Sequence, residues 1–221
     1  MALPVIRTAV FLPIILPQAP GCPRFFAEQA ARLAAIEFCE RTRCWRHIIE
    51  VSLTANGQAI VAPDYSAIHE IEEATHDGAP LTPTQWTDTD PDELTGAVQI
   101  GRPRYLTQID QNTVSIYPFQ AGLLRVSLFL KPRSGQLFGT DPNDPLHDAY
   151  NVVPEFLSIQ KAEAITDGAL ARILATPEER WTDPKRAMFH LERFERACNS
   201  AFSTHMRTQT RAKIRTTARW F

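Results

Sequence analysis

Hydrophobic and polar positions change period several times along this chain. From Phe25 to about Arg43 the run FFAEQAARLAAIEFCERTR holds strong helix formers and no internal Gly or Pro, which predicts a helix beginning just after Pro23. Phe26, Ala30, Leu33 and Ala34 fall on one predicted face, and Ile36, Phe38 and Cys39 widen it beyond a single stripe. At Ile48 the period becomes two: Ile49, Val51 and Leu53 alternate with Glu50, Ser52 and Thr54 up to an Asn56-Gly57 turn signal. Short segments of the same kind recur. Ile68 to Thr75 leads into Asp77-Gly78, and Arg104 to Ile109 faces Val114 to Tyr117 across Asp110-Gln111-Asn112. Leu124, Val126, Leu128 and Leu130 alternate most clearly.

Helical spacing returns after the loop SGQLFGTDPNDPLHDAY. Pro154 suits a first helical turn, and Ala162, Ile165, Ala169 and Ile173 share a face. Gly168 inside this helix costs roughly 1 kcal/mol relative to Ala, which points to a close helix approach. A further helix opens with Asp183 as N-cap and Pro184 at its first position. Its predicted face is Ala187, Leu191, Phe194, Cys198, Ala201 and His205.

The expected fold class is therefore α+β: a three-helix bundle with an antiparallel β-rich insert between the first and second helices, plus extended N- and C-terminal arms. The pattern divides the chain into an extended arm (1–22), a helical domain (23–47 with 150–206), a β-rich insert (48–132) forming its own lobe, a loop (133–149) and a basic arm (207–221). The first arm has one early positive charge, as a signal peptide would, but Pro13 and Pro17 interrupt its apolar run. It reads instead as an extended strap packed on its own fold or on a neighbour, and no apolar run approaches the roughly twenty residues needed to cross a bilayer.

Composition changes this picture little. The 221 residues are 44% hydrophobic, enough for a sizeable core, and the net charge of -2 builds in no general attraction to nucleic acid or anionic membrane. Charge matters locally, since Arg207 to Phe221 carries five basic side chains, no acidic one, and ends on Trp220 and Phe221. The four cysteines are too scattered for a disulfide scaffold, and a reducing compartment is expected. Cys39, Cys44 and His47 lack a fourth ligand at zinc spacing, so buried thiols are the expectation and no metal is assigned.

Catalytic signatures are missing. There is no glycine-rich phosphate loop and no GxSxG or HExxH. Glu70, Glu72, Glu73, Asp88, Asp90, Asp92 and Glu93 would in principle hold a divalent cation, but a solvated acidic surface explains them as well. His69, His76, His147 and His190 show no paired-ligand spacing, and His205 reads as part of a helix face.

In order, GCPRFFAEQAARLAAIEFCERTRCWR, DGAPL, GRPRYL and LSIQKAEAITDGALARILATPEERWTDPKRAMFHLERF resemble the head-to-tail adaptor (connector) proteins of tailed double-stranded DNA bacteriophages. The likeness spans residues 20 to 195. It implies a structural, non-enzymatic virion protein at the head–tail junction, assembled in the host cytoplasm, with no catalytic residues and no cofactor. Its partners would be the portal protein, tail components and further copies of itself in a ring of twelve, with DNA passing through unbound and no membrane contact. A ring needs two different complementary faces per subunit. The C-terminal arm is expected to bind the portal: Arg211, Lys213, Arg215 and Arg219 steer it to acidic surface, and Trp220 and Phe221 anchor it. Two other readings stay open from the residues alone. One is a small nucleic-acid-binding module acting through the basic tail, and the other a metal-assisted hydrolase using Asp88 or Asp90.

Overall fold

The computed structural model describes residues 4–54, 57–85, 100–133 and 151–209, with side-chain surroundings as far as residue 204. The first long helix, α2 (Arg24–Thr42), follows Pro23 and ends where Arg43 turns left-handed at φ 51°, its N–H donating to the Cys39 carbonyl. Ala27, Ala30, Ala31, Ala34, Ala35 and Phe38 are buried along it, and so many alanines let neighbouring helices approach closely. Leu33, expected inside, is 37% exposed, whereas Arg32 is buried.

The expected extended N-terminal arm is mostly helical. Among its described residues only β1 (Val5–Arg7) is a strand. A 3₁₀ turn (Thr8–Phe11), α1 (Leu12–Ile15) and a second 3₁₀ turn (Leu16–Gln18) follow, with Pro13 and Pro17 in their first turns. Proline's fixed φ suits a first helical turn as well as an extended chain, and burial of Phe11, Ile15 and Ala19 decides between them.

The β-rich stretch builds two four-stranded sheets. β2 (Arg46–Leu53), β9 (Gly122–Pro132), β4 (Ser66–His76) and β5 (Ala79–Pro80) form an antiparallel sheet in that order. β3 (Gln58–Ile60), β8 (Thr113–Tyr117), β7 (Tyr105–Gln108) and β6 (Thr82–Pro83) form the other, in which only β6 and β7 run parallel. β9 is the centre of the first sheet, and Leu124, Val126, Leu128 and Leu130 are fully buried. Its partner β4 has apolar residues three apart, at Ile68, Ile71 and Ala74. Two register shifts bring them opposite Leu130, Leu128 and Val126, so bulges convert a spacing of three into one inward face. The Asp77-Gly78 turn closes β4 on β5 with both residues at positive φ, 48° and 81°. The Asn56-Gly57 signal makes no such hairpin: β2 pairs with β9 and β3 with β8, so the chain changes sheet there.

β10 (Val152–Pro154) returns to pair antiparallel with β1. The second predicted helix is broken at Lys161 into α3 (Glu155–Gln160) and α4 (Ala162–Leu174), and α5 (Pro184–Gln209) follows. The α+β class stands, but the three-helix bundle with a β insert does not: the described residues hold five helices and ten strands in three sheets. Two- and three-residue strands carry too little alternation to be read locally, and β1 joins β10 across nearly all the intervening elements of both sheets. One continuous apolar core runs from the N-terminal turns through α2, α4 and α5 to both four-stranded sheets.

Asp183 caps α5 as expected, its Oδ1 accepting the Arg186 backbone N–H at 3.1 Å. Asp183→Ala should lower unfolding free energy by about 1 kcal/mol in urea titration, while Asp183→Asn should keep nearly all of it. Equal losses in the two variants would show that the cap contributes through charge alone.

Candidate assembly surfaces

α5 is the backbone of one surface. Its inward side is Ala187, His190, Phe194, Cys198 and Ala201. His190 takes the place expected for Leu191, which is 39% exposed. A histidine can be buried there because Asp167 of α4 faces it: the His190 Nδ1–H donates to Asp167 Oδ1 at 2.8 Å, and Arg193 Nε donates to Asp167 Oδ2 at 3.0 Å. Asp167 and His190 are both almost fully buried, so each satisfies a group that would otherwise be costly to desolvate. Residue spacing did not reveal this pair, which lies 23 residues apart on separate helices.

Outside that buried side α5 leaves apolar residues wet. Met188, Phe189, Leu191 and Phe202 are all more than a third exposed, and Arg193 lies over the Phe189 ring at 5.7 Å. Met188 and Leu191 border a groove of about 440 Å³ that α5 shares with Glu37 of α2 and with Ala171, Arg172 and Ala175 at the end of α4. Apolar positions at 188, 191 and 202 beside the buried stripe are the sequence signal for this wider apolar arc.

The outer face of the first sheet has a different character. Arg46 pairs with Glu72, which also accepts from Ser127 Oγ at 2.7 Å; Arg43 meets Glu70 at 2.8 Å and Arg125 approaches Glu50 at 3.7 Å. Burial pushes the Glu72 carboxyl up, but the bonds from Arg46 and Ser127 outweigh it and hold the group below the usual range. Arg43 and Arg46 lie over the Phe129 ring, and Ile48 and Leu123 stand exposed among the charges. Of the acidic residues of β4, Glu72 thus answers an arginine on its own sheet and Glu70 answers Arg43 at the end of α2.

No group of three metal-ligating side chains occurs among the described residues. Cys39 and Cys44 lie 4.0 Å apart through their Sγ atoms, and burial pushes the Cys198 thiol up to about 11. His76 is buried, its Nε2–H donating to the Gln120 carbonyl. Asp88, Asp90, Asp92, Glu93 and His147 lie outside the described residues. No described helix is long and apolar enough to cross a membrane.

The sequence profile described as the SU10 adaptor protein matches residues 16–219. The chain belongs to that family. Its members are structural adaptors of phage virions, placed at the head–tail junction among portal and tail proteins. No curated protein matches this adaptor. The match extends over α5 and on through most of the basic arm. The adaptor's α5 continues through Arg207 to Gln209, so the arm begins as helix rather than as extended chain. Arg211, Lys213, Arg215, Arg219, Trp220 and Phe221 lie outside the described residues.

Proposed function

We propose that this adaptor closes into a ring of twelve copies beneath the portal, with the portal on one side and tail components on the other, and lines the channel through which DNA leaves the head. The family match across residues 16–219 carries this reading. Two different surfaces are available for it: a head-to-tail contact joins unlike but complementary patches, and exposed Ile48 and Leu123 on the outer sheet face offer apolar area to the apolar arc of α5. Net charge near zero also suits a channel wall, since a strongly basic one would retain phosphates. In this reading the subunit is made in the host cytoplasm and joins the virion during assembly. Arg211, Lys213, Arg215 and Arg219 guide the arm to acidic portal surface while Trp220 and Phe221 anchor it.

Portal co-sedimentation tests the assignment with the full chain, a chain ending at Met206, and the Trp220→Ala/Phe221→Ala double variant, at low and high salt. The full chain should sediment with portal and keep part of its binding in high salt, because aromatic anchoring is not screened. The double variant should lose that salt-resistant part. Full binding by the chain ending at Met206 would remove the arm from the interface. Loss of DNA binding alone, with a steep salt dependence, would favour the nucleic-acid-binding module.

A further inference from the structure

We propose that Cys44 is an oxidant-sensitive thiol and that Cys39 resolves it, the two closing into a disulfide that clasps the C-terminal end of α2. The reagent it takes is a low-molecular-weight disulfide of the oxidised-glutathione class. Nothing in this depends on the ring or on the portal.

The end of α2 brings the two side chains together. Arg43 is left-handed at φ 51°, and its N–H donates to the Cys39 carbonyl at 2.9 Å. A helix that ends in this way folds the next residue back over the turn it has just left, so that positions 44 and 39 face each other. Their Sγ atoms lie 4.0 Å apart, about 2 Å more than a disulfide bond and within the sweep of two rotating cysteine side chains. The backbone on either side is held. Thr42 Oγ1 donates to the Phe38 carbonyl at 2.7 Å. Beyond Cys44, Trp45 is buried, stacks on Tyr65 with ring centroids 6.2 Å apart, and accepts the Leu130 N–H on its carbonyl at 2.8 Å. Sulfurs fixed in this way meet far more often than sulfurs on a free chain.

Access separates the thiols. Cys39 is fully buried, Cys22 and Cys198 are 8% and 1% exposed, and Cys44 alone of the four is only half-buried. Electrostatics agrees with access. When Cys44 loses its proton, the Cys39 S–H is left to donate across the gap; this outweighs the cost of burial and, helped by the positive charge of Lys161, holds the Cys44 thiol below its usual range. The same contact, together with burial, pushes the Cys39 thiol well up. Cys44 therefore reacts first.

The Cys44 thiolate attacks one sulfur of the reagent, the reagent's S–S bond breaks, and one thiolate leaves. Cys39 then gives up its proton and attacks Cys44 Sγ, which breaks the mixed disulfide and releases the second thiolate. Two electrons pass from the cysteines to the reagent, and their two protons end on the two released thiols. In a reducing compartment the pair stays open. Once formed, the bond ties the start of β2 to the last turn of α2. Arg43, between the two cysteines, pairs with Glu70 and lies over the Phe129 ring, so the bond fixes the arginine that joins α2 to the first sheet.

The test treats the full chain, freed of reductant, with oxidised glutathione, caps the remaining thiols with N-ethylmaleimide and maps the product by trypsin and mass spectrometry. Trypsin cuts after Arg41 and Arg43, so a Cys39–Cys44 bond appears as two peptides held together. The expected product is lighter by two hydrogen atoms, carries that bond and keeps Cys22 and Cys198 free. Cys39→Ala should instead retain one glutathione on Cys44, and Cys44→Ala should leave Cys39 unmodified, with circular-dichroism melting to check that both fold. Should either variant fold poorly, the map of the unaltered chain still decides. The bonded chain should melt several degrees higher than the reduced one and lose that gain in dithiothreitol, because the cross-link restricts the unfolded chain. Four free thiols after treatment, a bond from Cys39 to Cys198, a bond joining two chains, or a folded Cys39→Ala variant with no glutathione on Cys44 overturns the proposal. A bonded chain that melts no higher than the reduced one overturns the clasp.

Discussion

Asp167→Ala is expected to be among the most damaging single substitutions in this protein, lowering unfolding free energy by about 3 kcal/mol. Asp167 accepts from both His190 and Arg193, so its loss strands two donors at the α4–α5 crossing. The cost falls chiefly on His190, which is buried; Arg193 is 43% exposed and can turn to water or towards Glu163, 3.9 Å away. Asp167→Asn keeps an acceptor for one of the two donors and should lose about half as much. Chemical denaturation of both variants, alone and combined with His190→Phe, measures the coupling. The second substitution should recover part of the loss by removing the orphaned imidazole. A loss below about 1 kcal/mol for Asp167→Ala would mean that water reaches the site and the pair is not a structural clamp.

Gly168→Leu should cost about 1–3 kcal/mol, although leucine is the better helix former. A Cβ at Gly168 would stand 2.8 Å from the Phe194 ring and 2.9 Å from the Ala34 Cβ, closer than real Cβ contacts. Phe194 is fully buried and packs against Phe38, with ring centroids 6.4 Å apart, so it has no free direction in which to yield. Even Gly168→Ala should therefore destabilise, with crowding outweighing its propensity gain of roughly 1 kcal/mol. Thermal melting decides: a raised Tm in the alanine variant would show that α2 and α5 can move apart. The unfavourable glycine in an otherwise regular helix was the visible sign of this crossing, and α2 and α5 are what stand there.

Signals that act within a few residues were legible beforehand. The extent of α2, the alternation of β9, the Asp77-Gly78 turn and the Asp183-Pro184 start of α5 all depend on local backbone preference and side-chain period. Helix faces were less legible. Leu33 and Leu191 were assigned inward by hydrophobicity, yet a helix packed through alanines buries whichever positions meet its neighbours, here including Arg32 and His190. Of the candidate surfaces, only the basic, aromatic arm stood out in the sequence, because its composition is locally extreme.

By itself the sequence determined that this chain would be α+β, where its long helices and central strand lie, and, through the order of its motifs, which family it belongs to. Tertiary structure alone decided that β2 pairs with β9 and not with β3, that bulges in β4 aim Ile68, Ile71 and Ala74 inward, that Asp167 finds His190, and that Met188 and Leu191 border an open groove. The reason is range. Backbone preference and periodicity are written over a turn or two, whereas strand partners, the satisfaction of a buried charge and the exposure of a helix face depend on segments far apart in sequence.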